Sequence, residues 1–346
     1  MDELAAVIAA YFPPTQRVKA RQLAGGNINS SFLLDDGRRP LVVQRLNPAV
    51  FPDPRQVVAN FTVLSDHLAT RRFLVAKPIA TLAGATCFQA ADGALWRAQT
   101  YIAEHQPEAP AQPASMGKIL ARFHRLTADL PPERLPPPIS GFHDTGAYLA
   151  KTDHALAGAP ENSEEKTERR WCQQIIERFR PLANYFVEAG AAGTISRRVT
   201  HGDPKRENFI LNKNGQALGF FDLDTAAQGF IAHDLGDCLR SLANPAGEEA
   251  CFDAIRFDLD ICRLFLAGYR QEYAEAHEET PPLDVFAGTL TIAFELGLRR
   301  LTDHLQGDRY FRVRRHGDNL RLAMVQFRLA ELIAESESQI RDLAET

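Results

Sequence analysis

The stretch HGDPKREN at 201–208 places an aspartate and an asparagine five residues apart, a spacing that suits phosphoryl transfer from ATP. Such chemistry requires a carboxylate that orients the attacking hydroxyl and oxygen ligands for a metal ion. Asp203 can accept a hydrogen bond from a hydroxyl, and Asn208 can offer a neutral oxygen to Mg²⁺, which prefers oxygen ligands. The stretch alone is equally typical of a histidine-anchored turn.

A second acidic cluster, FFDLDT at 220–225, supplies two further carboxylates. Asp222 would complete a metal site, and Asp224 would share its strand face because side chains two residues apart point the same way. Apolar runs flank both clusters, and Lys213-Asn214-Gly215 between them is typical of a hairpin turn. FDLDT alone favours a strand-end turn, so the hypothesis of one phosphoryl-transfer site depends on the two clusters together.

The elements that must position these clusters fall into two parts. Residues 17–46 have the pattern of three strands with a turn at Asp36-Gly37, and residues 55–69 have helical spacing. Further strand-like segments follow, and then the pattern becomes helical. It remains helical over three late segments, 248–276, 284–305 and 318–341.

This division predicts an α+β fold with a small β-rich lobe and a larger, mainly helical lobe. A proline-rich stretch at 104–113 is typical of a linker. We therefore predict an N-terminal lobe at 1–103 and a C-terminal lobe at 114–346.

Composition agrees with a two-lobed globular protein. A chain of 346 residues exceeds one compact core of usual size, and 45% hydrophobic with 24% charged residues is ordinary for such proteins. The net charge of −5 argues against a nucleic-acid or anionic-membrane partner. No secretory signal or membrane-length apolar run is present, and five cysteines without a CxxC pair predict free thiols, no zinc site and a cytoplasmic location.

The two clusters resemble the catalytic region of the aminoglycoside phosphotransferase and choline kinase superfamily, and the similarity extends over nearly the whole chain. The chain most resembles the N-acetylhexosamine 1-kinases, through LVVQRLNPAVFPDP, FFDLDTAAQGFIAHDLGDCLRS and ELGLRRLTDHLQGDRYFRVRRHGDN. The resemblance implies a bilobal protein-kinase-like fold with a nucleotide-binding N-terminal lobe. It also implies ATP and Mg²⁺ as cofactors and a small-molecule sugar as substrate.

Several residue roles are implied by the resemblance. Asp203 corresponds to the catalytic base and Asn208 and Asp222 to magnesium ligands, with Asp224 in support of the metal site. His201 is expected to order the loop through hydrogen bonds rather than to transfer protons.

Two further acids, Asp234 and Asp237, are expected to be structural, fixing the start of the helix that follows the metal motif.

The same resemblance places Arg299 and Tyr310 in the sugar pocket. Arg299 also has Glu295 and Asp303 four residues away on a helix, so a surface ion-pair network is the alternative. For Tyr310 the alternative is an exposed or packing role.

In the N-terminal lobe, Gly25, Gly26 and Asn27 begin a loop that could cover the phosphates with backbone N–H groups, although an ordinary hairpin turn would look similar. Related sugar kinases tend to have histidine where Asn27 stands. The strand expected to present a phosphate-binding lysine offers Gln44 and Arg45 instead, and alternation lets only one of them face the cleft.

Other functions remain open at this point. The fold would also suit a kinase of an aminoglycoside, choline or homoserine, or a nucleotide-binding scaffold without catalysis. An arginine-rich C-terminal block disfavours cationic acceptors; its members are Arg299, Arg300, Arg312, Arg314 and Arg315.

Overall fold

The computed structural model describes residues 3–23, 28–102, 108–159 and 165–345. Its N-terminal lobe is an antiparallel sheet with two helices. The helices are α1 (Glu3–Tyr11) and α2 (Pro54–Thr70), and the strands are β1 (Lys19–Gln22), β2 (Ser30–Asp35), β3 (Leu41–Arg45), β4 (Pro78–Ile79), β5 (Phe88–Gln89) and β6 (Leu95–Thr100). The strand order is β1-β2-β3-β6-β4, and β5 also pairs with β6.

The C-terminal lobe is mainly helical and carries two short two-stranded sheets. The strands are β7 (Arg198–Thr200), β8 (Phe209–Leu211), β9 (Ala217–Phe220) and β10 (Ala227–Gly229), with β7 paired to β10 and β8 to β9. The helices are α3 (Pro113–Leu126), α4 (Thr145–Ala157), α5 (Lys166–Phe179), α6 (Tyr185–Ala191), α7 (Ile231–Leu242), α8 (Leu259–Glu275), α9 (Val285–Leu305), α10 (Asp318–Glu335) and α11 (Glu337–Glu345).

The α+β fold with a β-rich and a helical lobe is therefore confirmed. The predicted helix at 55–69 is α2, which Asp53 caps through hydrogen bonds from the backbone N–H groups of Arg55 and Gln56. The predicted helix at 248–276 is wrong in its first part, because α8 begins only after Asp258 caps it at Leu259. The lobe boundaries stay predictions, since residues 103–107 of the linker lie outside the described residues.

Close contact between α7 and α9 brings together the helices that support the site. A Cβ on Gly236 of α7 would lie 2.3 Å from the carbonyl oxygen of Gly288, and a Cβ on Gly288 would lie 2.0 Å from that of Ala232. Only glycine permits this backbone approach. In the part of the chain that the structure describes, no helix is both long and apolar enough to cross a membrane.

The two lobes share an apolar core through α2. Phe61, Leu64 and Leu68 of α2 belong to the same buried cluster as Met116 of α3 and Phe220 of β9. The sheet therefore packs on the helical lobe through a helix that contributes to the core of both.

A buried polar network also joins the lobes. Arg97 on β6 forms an ion pair with Asp224, and both side chains are about 3% exposed. The Arg97 guanidinium also donates to Gln44 Oε1 on the neighbouring β3 at 3.0 and 2.7 Å. Asn29 Nδ2 donates to the other Asp224 oxygen at 2.8 Å. Arg97 is thus the cation that links the sheet to the second acidic cluster.

Replacing Arg97 tests this link. Arg97→Gln is expected to lower the free energy of unfolding by about 3–5 kcal/mol, because Asp224 would keep a buried charge without its cation. Arg45→Gln on β3 is the matched control, since the contacts of Arg45 with Glu3 and Asp92 are partly exposed and worth at most about 1 kcal/mol. Urea denaturation measures both. Equal losses in the two variants would contradict the assignment.

Candidate active site

Gly202 gives the loop after β7 its shape. Its φ is +82°, and a Cβ there would lie 2.7 Å from the carbonyl oxygen of Thr225. Both the left-handed backbone and the close approach require glycine. The middle residue of the HGD motif is therefore dictated by the fold, and it turns the chain so that Asp203 follows directly.

His201 orders this loop as a neutral side chain. Its Nδ1 accepts from the backbone N–H of Asp203 at 3.3 Å, and its Nε2 donates to the carbonyl oxygen of Phe221 at 3.1 Å. Burial lowers the pKa of His201. These are the ordering hydrogen bonds expected from the sequence, and they connect the HGD loop to the strand end before Asp222.

Asp234 on α7 holds the same loop from below. Its two oxygens accept the backbone N–H groups of His201 at 2.7 Å and of Gly202 at 2.9 Å. His124 on α3 lies 2.9 Å away and completes the contact. Burial would raise the pKa of Asp234, but the bond from His124 and the nearby charges lower it on balance. Asp234 thus has a structural role, but it fixes the HGD loop rather than the start of α7, which no side chain caps.

Asp203, Asn208 and Lys205 form a hydrogen-bonded group beyond this turn. Asn208 Nδ2 donates to Asp203 Oδ2 at 3.0 Å and to the Asp203 carbonyl oxygen at 2.7 Å. The amide oxygen of Asn208 is then the atom that can ligate a cation. Lys205 Nζ lies 2.6 Å from Asp203 Oδ2. No motif in the sequence marks Lys205 as a site residue; the one signal is a lysine two residues after Asp203 in a chain with few lysines.

Asp222 lies at a strained backbone position, with φ +53°, and its side chain is exposed to the cleft. Desolvation by the surrounding protein raises the pKa of Asp222 to about 7, and repulsion from Asp224 and Asp203 acts in the same direction. A divalent cation would relieve this repulsion, and the oxygens of Asn208 and Asp222 are donors that Mg²⁺ accepts. The residues present therefore fit a magnesium ion.

Asp224 differs from Asp222 in what it contacts. Both of its oxygens face donors of the N-terminal lobe, Arg97 and Asn29. Asp224 therefore lies between the lobes, and its support of the metal site stays a prediction. The predicted shared strand face is wrong, because β9 ends at Phe220 and both aspartates lie in the loop that follows it.

The residues predicted to contact the nucleotide differ in where their side chains point. Gln44 faces the cleft side of β3, where it contacts Arg97 and donates to Ser31 Oγ at 3.1 Å. The Arg45 guanidinium points the other way, to Glu3 and Asp92 at 3.1 and 2.9 Å, so a phosphate contact from Arg45 is wrong. The predicted loop residues Gly25, Gly26 and Asn27 lie outside the described residues.

Arg299 lies inside a group of aromatic rings rather than on the surface. Its guanidinium carbon is 5.3–5.7 Å from the ring centres of Phe142, Tyr148, Tyr310 and Phe311. Nη2 donates to the Tyr310 hydroxyl at 3.3 Å, and Nη1 is 4.0 Å from the buried Glu295. The alternative of a surface ion-pair network is wrong, because Asp303 instead accepts the backbone N–H groups of residues 309–311.

Tyr310 also touches the N-terminal lobe. It packs against a buried cluster that includes Leu46, Phe51 and Val57. The C-terminal block therefore reaches across the cleft, so Tyr310 both packs and contacts Arg299.

His143 and Glu295 are further site residues that sequence reasoning missed. His143 Nε2 lies 2.9 Å from the Gly202 carbonyl oxygen, and Nδ1 lies 3.0 Å from Glu295 Oε1. Thr145 donates to the second Glu295 oxygen at 3.0 Å. The two residues are 152 positions apart, and no local pattern marks either of them.

Known proteins resemble this chain over most of its length. The homoserine kinase of Polaromonas naphthalenivorans (strain CJ2) is 26% identical over 314 residues, which cover 89% of each chain. Among solved structures, a microcompartment-associated aminopropanol kinase matches with a TM-score of 0.66 and 14% identity, covering 97% of this chain and 98% of the other. An amicoumacin kinase solved with AMP-PNP and Ca²⁺ matches with a TM-score of 0.64 and 16% identity, covering 97% and 94%.

The solved structures share the fold of this chain, which confirms the expected kinase-like architecture. The model of the phosphotransferase enzyme family matches residues 19–283, which include the whole sheet, the HGD loop and the second acidic cluster. The chain therefore belongs to the phosphotransferase enzyme family that contains the aminoglycoside phosphotransferases.

Proposed function

We propose that this phosphotransferase moves the γ-phosphoryl group of ATP to the anomeric 1-OH of an N-acetylhexosamine. The observation that carries the proposal is the hydrogen-bonded pair of Asp203 and Asn208, with Asp222 nearby because the backbone N–H of Phe221 donates to the Asn208 carbonyl oxygen at 2.7 Å. A carboxylate for the acceptor hydroxyl and oxygen ligands for a cation are thereby grouped in one cleft.

Asp203 would accept a hydrogen bond from the acceptor hydroxyl and take its proton late. A reducing-sugar 1-OH is more acidic than an ordinary alcohol, so a carboxylate suffices as the base. Lys205, beside Asp203, would bring a positive charge to the developing negative charge on the phosphoryl oxygens. Most of the rate acceleration would come from positioning and electrostatics.

Asn208 and Asp222 would hold Mg²⁺, with Asp224 acting between the lobes rather than as a ligand. When bound, the cation would orient the phosphates and neutralise part of their charge. The amicoumacin kinase with AMP-PNP and Ca²⁺ supports ATP and a divalent cation for a chain of this fold.

The nucleotide side would use β3 and the loop before β2. Gln44 remains our candidate on β3, and the backbone of Gly25, Gly26 and Asn27 remains our candidate for covering the phosphates.

The five cysteines are free thiols, which suits the reducing cytoplasm where ATP is made.

Replacing the base tests the proposal directly. Asp203→Asn is expected to lower kcat by at least about 10³-fold, since the acceptor hydroxyl would lose its carboxylate, while ATP affinity changes little. Glu207→Gln, an exposed acid on the same loop, is the matched control and should keep full activity. A coupled ADP-release assay and a nucleotide titration give both values. Near-full activity of Asp203→Asn would overturn the assignment.

The acceptor side is assigned to Arg299 and Tyr310. The positive charge of Arg299 disfavours cationic acceptors such as choline and the aminoglycosides, and suits groups that accept hydrogen bonds, such as an acetamido oxygen. A second candidate acceptor is homoserine, because the homoserine kinase relative aligns with most of this chain and a carboxylate would also pair with Arg299.

An acceptor panel separates these candidates. We expect N-acetylglucosamine or N-acetylgalactosamine to give a kcat/KM at least about tenfold above homoserine, choline and an aminoglycoside, since Arg299 would hydrogen-bond the acetamido group. Initial rates of ADP release measure the ranking, and phosphorus NMR identifies the 1-phosphate. Homoserine as the best acceptor would replace the sugar with the second candidate.

Arg299→Lys tests the acceptor contact separately. It is expected to raise the acceptor KM by about tenfold with little change in the ATP KM, because lysine lacks the planar fork of arginine. Arg309→Lys, which changes an exposed arginine next to Tyr310 in the sequence, serves as the control. Parallel changes in both KM values would contradict an acceptor-specific role.

A further inference from the structure

The peptide groups around Gly202 are held on two sides by buried carboxylate–imidazole pairs. Asp234, with His124, accepts the Gly202 N–H on one side. His143, with Glu295, lies at the Gly202 carbonyl oxygen on the other. That carbonyl belongs to the peptide that leads into Asp203, so its orientation also sets where the Asp203 side chain begins.

His143 is placed as a double donor. Its Nε2 is 2.9 Å from the Gly202 carbonyl oxygen and its Nδ1 is 3.0 Å from the Glu295 carboxylate, neither of which can donate a hydrogen bond. Satisfying both contacts requires a proton on each ring nitrogen. The geometry therefore requires the imidazolium form.

The charges around His143 agree with this geometry. Burial alone would lower the pKa of His143, but the negative charge of Glu295 outweighs burial, so the pKa is raised. Arg299, which is on the same helix as Glu295, opposes this rise. His233 on α7, with its ring centre 5.1 Å from that of His143, has a pKa lowered to about 3 by burial and by His143. One histidine of the two thus carries the charge.

The backbone at His143 is held in an uncommon conformation. Its φ is +58°, in the left-handed region that residues with side chains rarely adopt, directly before Asp144 caps α4. Such strain persists only where surrounding contacts enforce it, and it is concentrated at functional sites. Here the enforcing contacts are those to Gly202 and Glu295.

We propose that His143 is a positioning residue of the phosphoryl-transfer site, acting as an imidazolium that Glu295 holds and that fixes the Gly202 carbonyl and thereby Asp203. Glu295 also lies 4.0 Å from Arg299, so the same carboxylate joins the loop to the acceptor side. The proposal rests on the function proposed above. Charge-assisted hydrogen bonds are stronger and more directional than neutral ones, which suits a group that sets a backbone orientation.

The protonation of His143 is measured without any acceptor. In ¹⁵N-histidine-labelled full-length protein, long-range ¹H–¹⁵N spectra should show an imidazolium at pH 7 that disappears in His143→Gln. A neutral His143 at pH 7 would overturn the inference whether or not the protein proves to be a sugar kinase. If no acceptor is turned over but the imidazolium is present, the proposed function fails while this part of the inference stands.

Kinetics test the effect on Asp203. His143→Gln should lower kcat by about 10- to 100-fold and change both KM values by less than about threefold, because a misplaced base slows the chemical step more than binding. His154→Gln, an exposed histidine on α4, is the matched control. The charged form is lost as pH rises, so the wild-type kcat should fall above the ordinary histidine pKa of 6.5, and the variant should lack this alkaline decline.

Glu295→Gln tests the same network through a second residue, in case His143→Gln fails to fold. It should lower kcat and shift the alkaline decline to lower pH, because the imidazolium loses its counter-charge. The double variant should be no slower than the slower single variant, since both changes break one network. Wild-type kcat and pH profile in the folded His143→Gln protein, or in Glu295→Gln, would refute the positioning role.

Discussion

The active-site loop depends on one buried carboxylate, that of Asp234. It accepts two consecutive loop N–H groups, from His201 and Gly202, and contacts His124 on α3. Asp234 is 1% exposed, and a carboxylate so buried is tolerated only where charged or polar donors surround it. The N–H groups of the loop thus stabilise the buried Asp234 carboxylate, and this carboxylate in turn fixes the loop. Close packing of α7 on α9 places Glu295 and His143 against the same turn from the opposite side.

Charge between the lobes is arranged differently from the lysine-based scheme that related folds suggest. β3 offers Gln44 where a lysine is expected, and the cation comes from Arg97 on the adjacent β6. Arg97 does not replace the lysine as a mobile phosphate contact, because its side chain is buried and engaged with Gln44 and Asp224. It holds the loop after Asp222 against the sheet. Lys205 on the HGD loop is then the lysine close to the acidic cluster, since its Nζ contacts Asp203.

The sequence permits prediction of what short patterns determine. The hairpin of β8 and β9, the helix α2 and the division into two lobes all follow from local alternation, capping and turn residues. The pairing of Asp203 with Asn208 follows as well, because both belong to one turn. His143, Glu295 and Arg97 could not be predicted, since their roles arise from contacts with residues far along the chain. Asp224 shows the same limit, because the predicted strand ends at Phe220 and the contacts of Asp224 come from the other lobe.

The surroundings of Arg299 would connect the proposed acceptor contact to the HGD loop. Four aromatic rings and the Tyr310 hydroxyl surround the guanidinium, so its charge is shielded from water on most sides. A cationic acceptor near Arg299 would meet repulsion that solvent screens poorly, whereas a neutral carbonyl or a carboxylate would gain a hydrogen-bonding partner at little reorganisation cost. Glu295 lies between Arg299 and His143. A change in charge near Arg299 would therefore alter the electrostatic potential at His143, which contacts the Gly202 carbonyl oxygen. Under the proposed roles of Arg299 and Asp203, selection of the acceptor and alignment of the base would both depend on the Glu295 carboxylate.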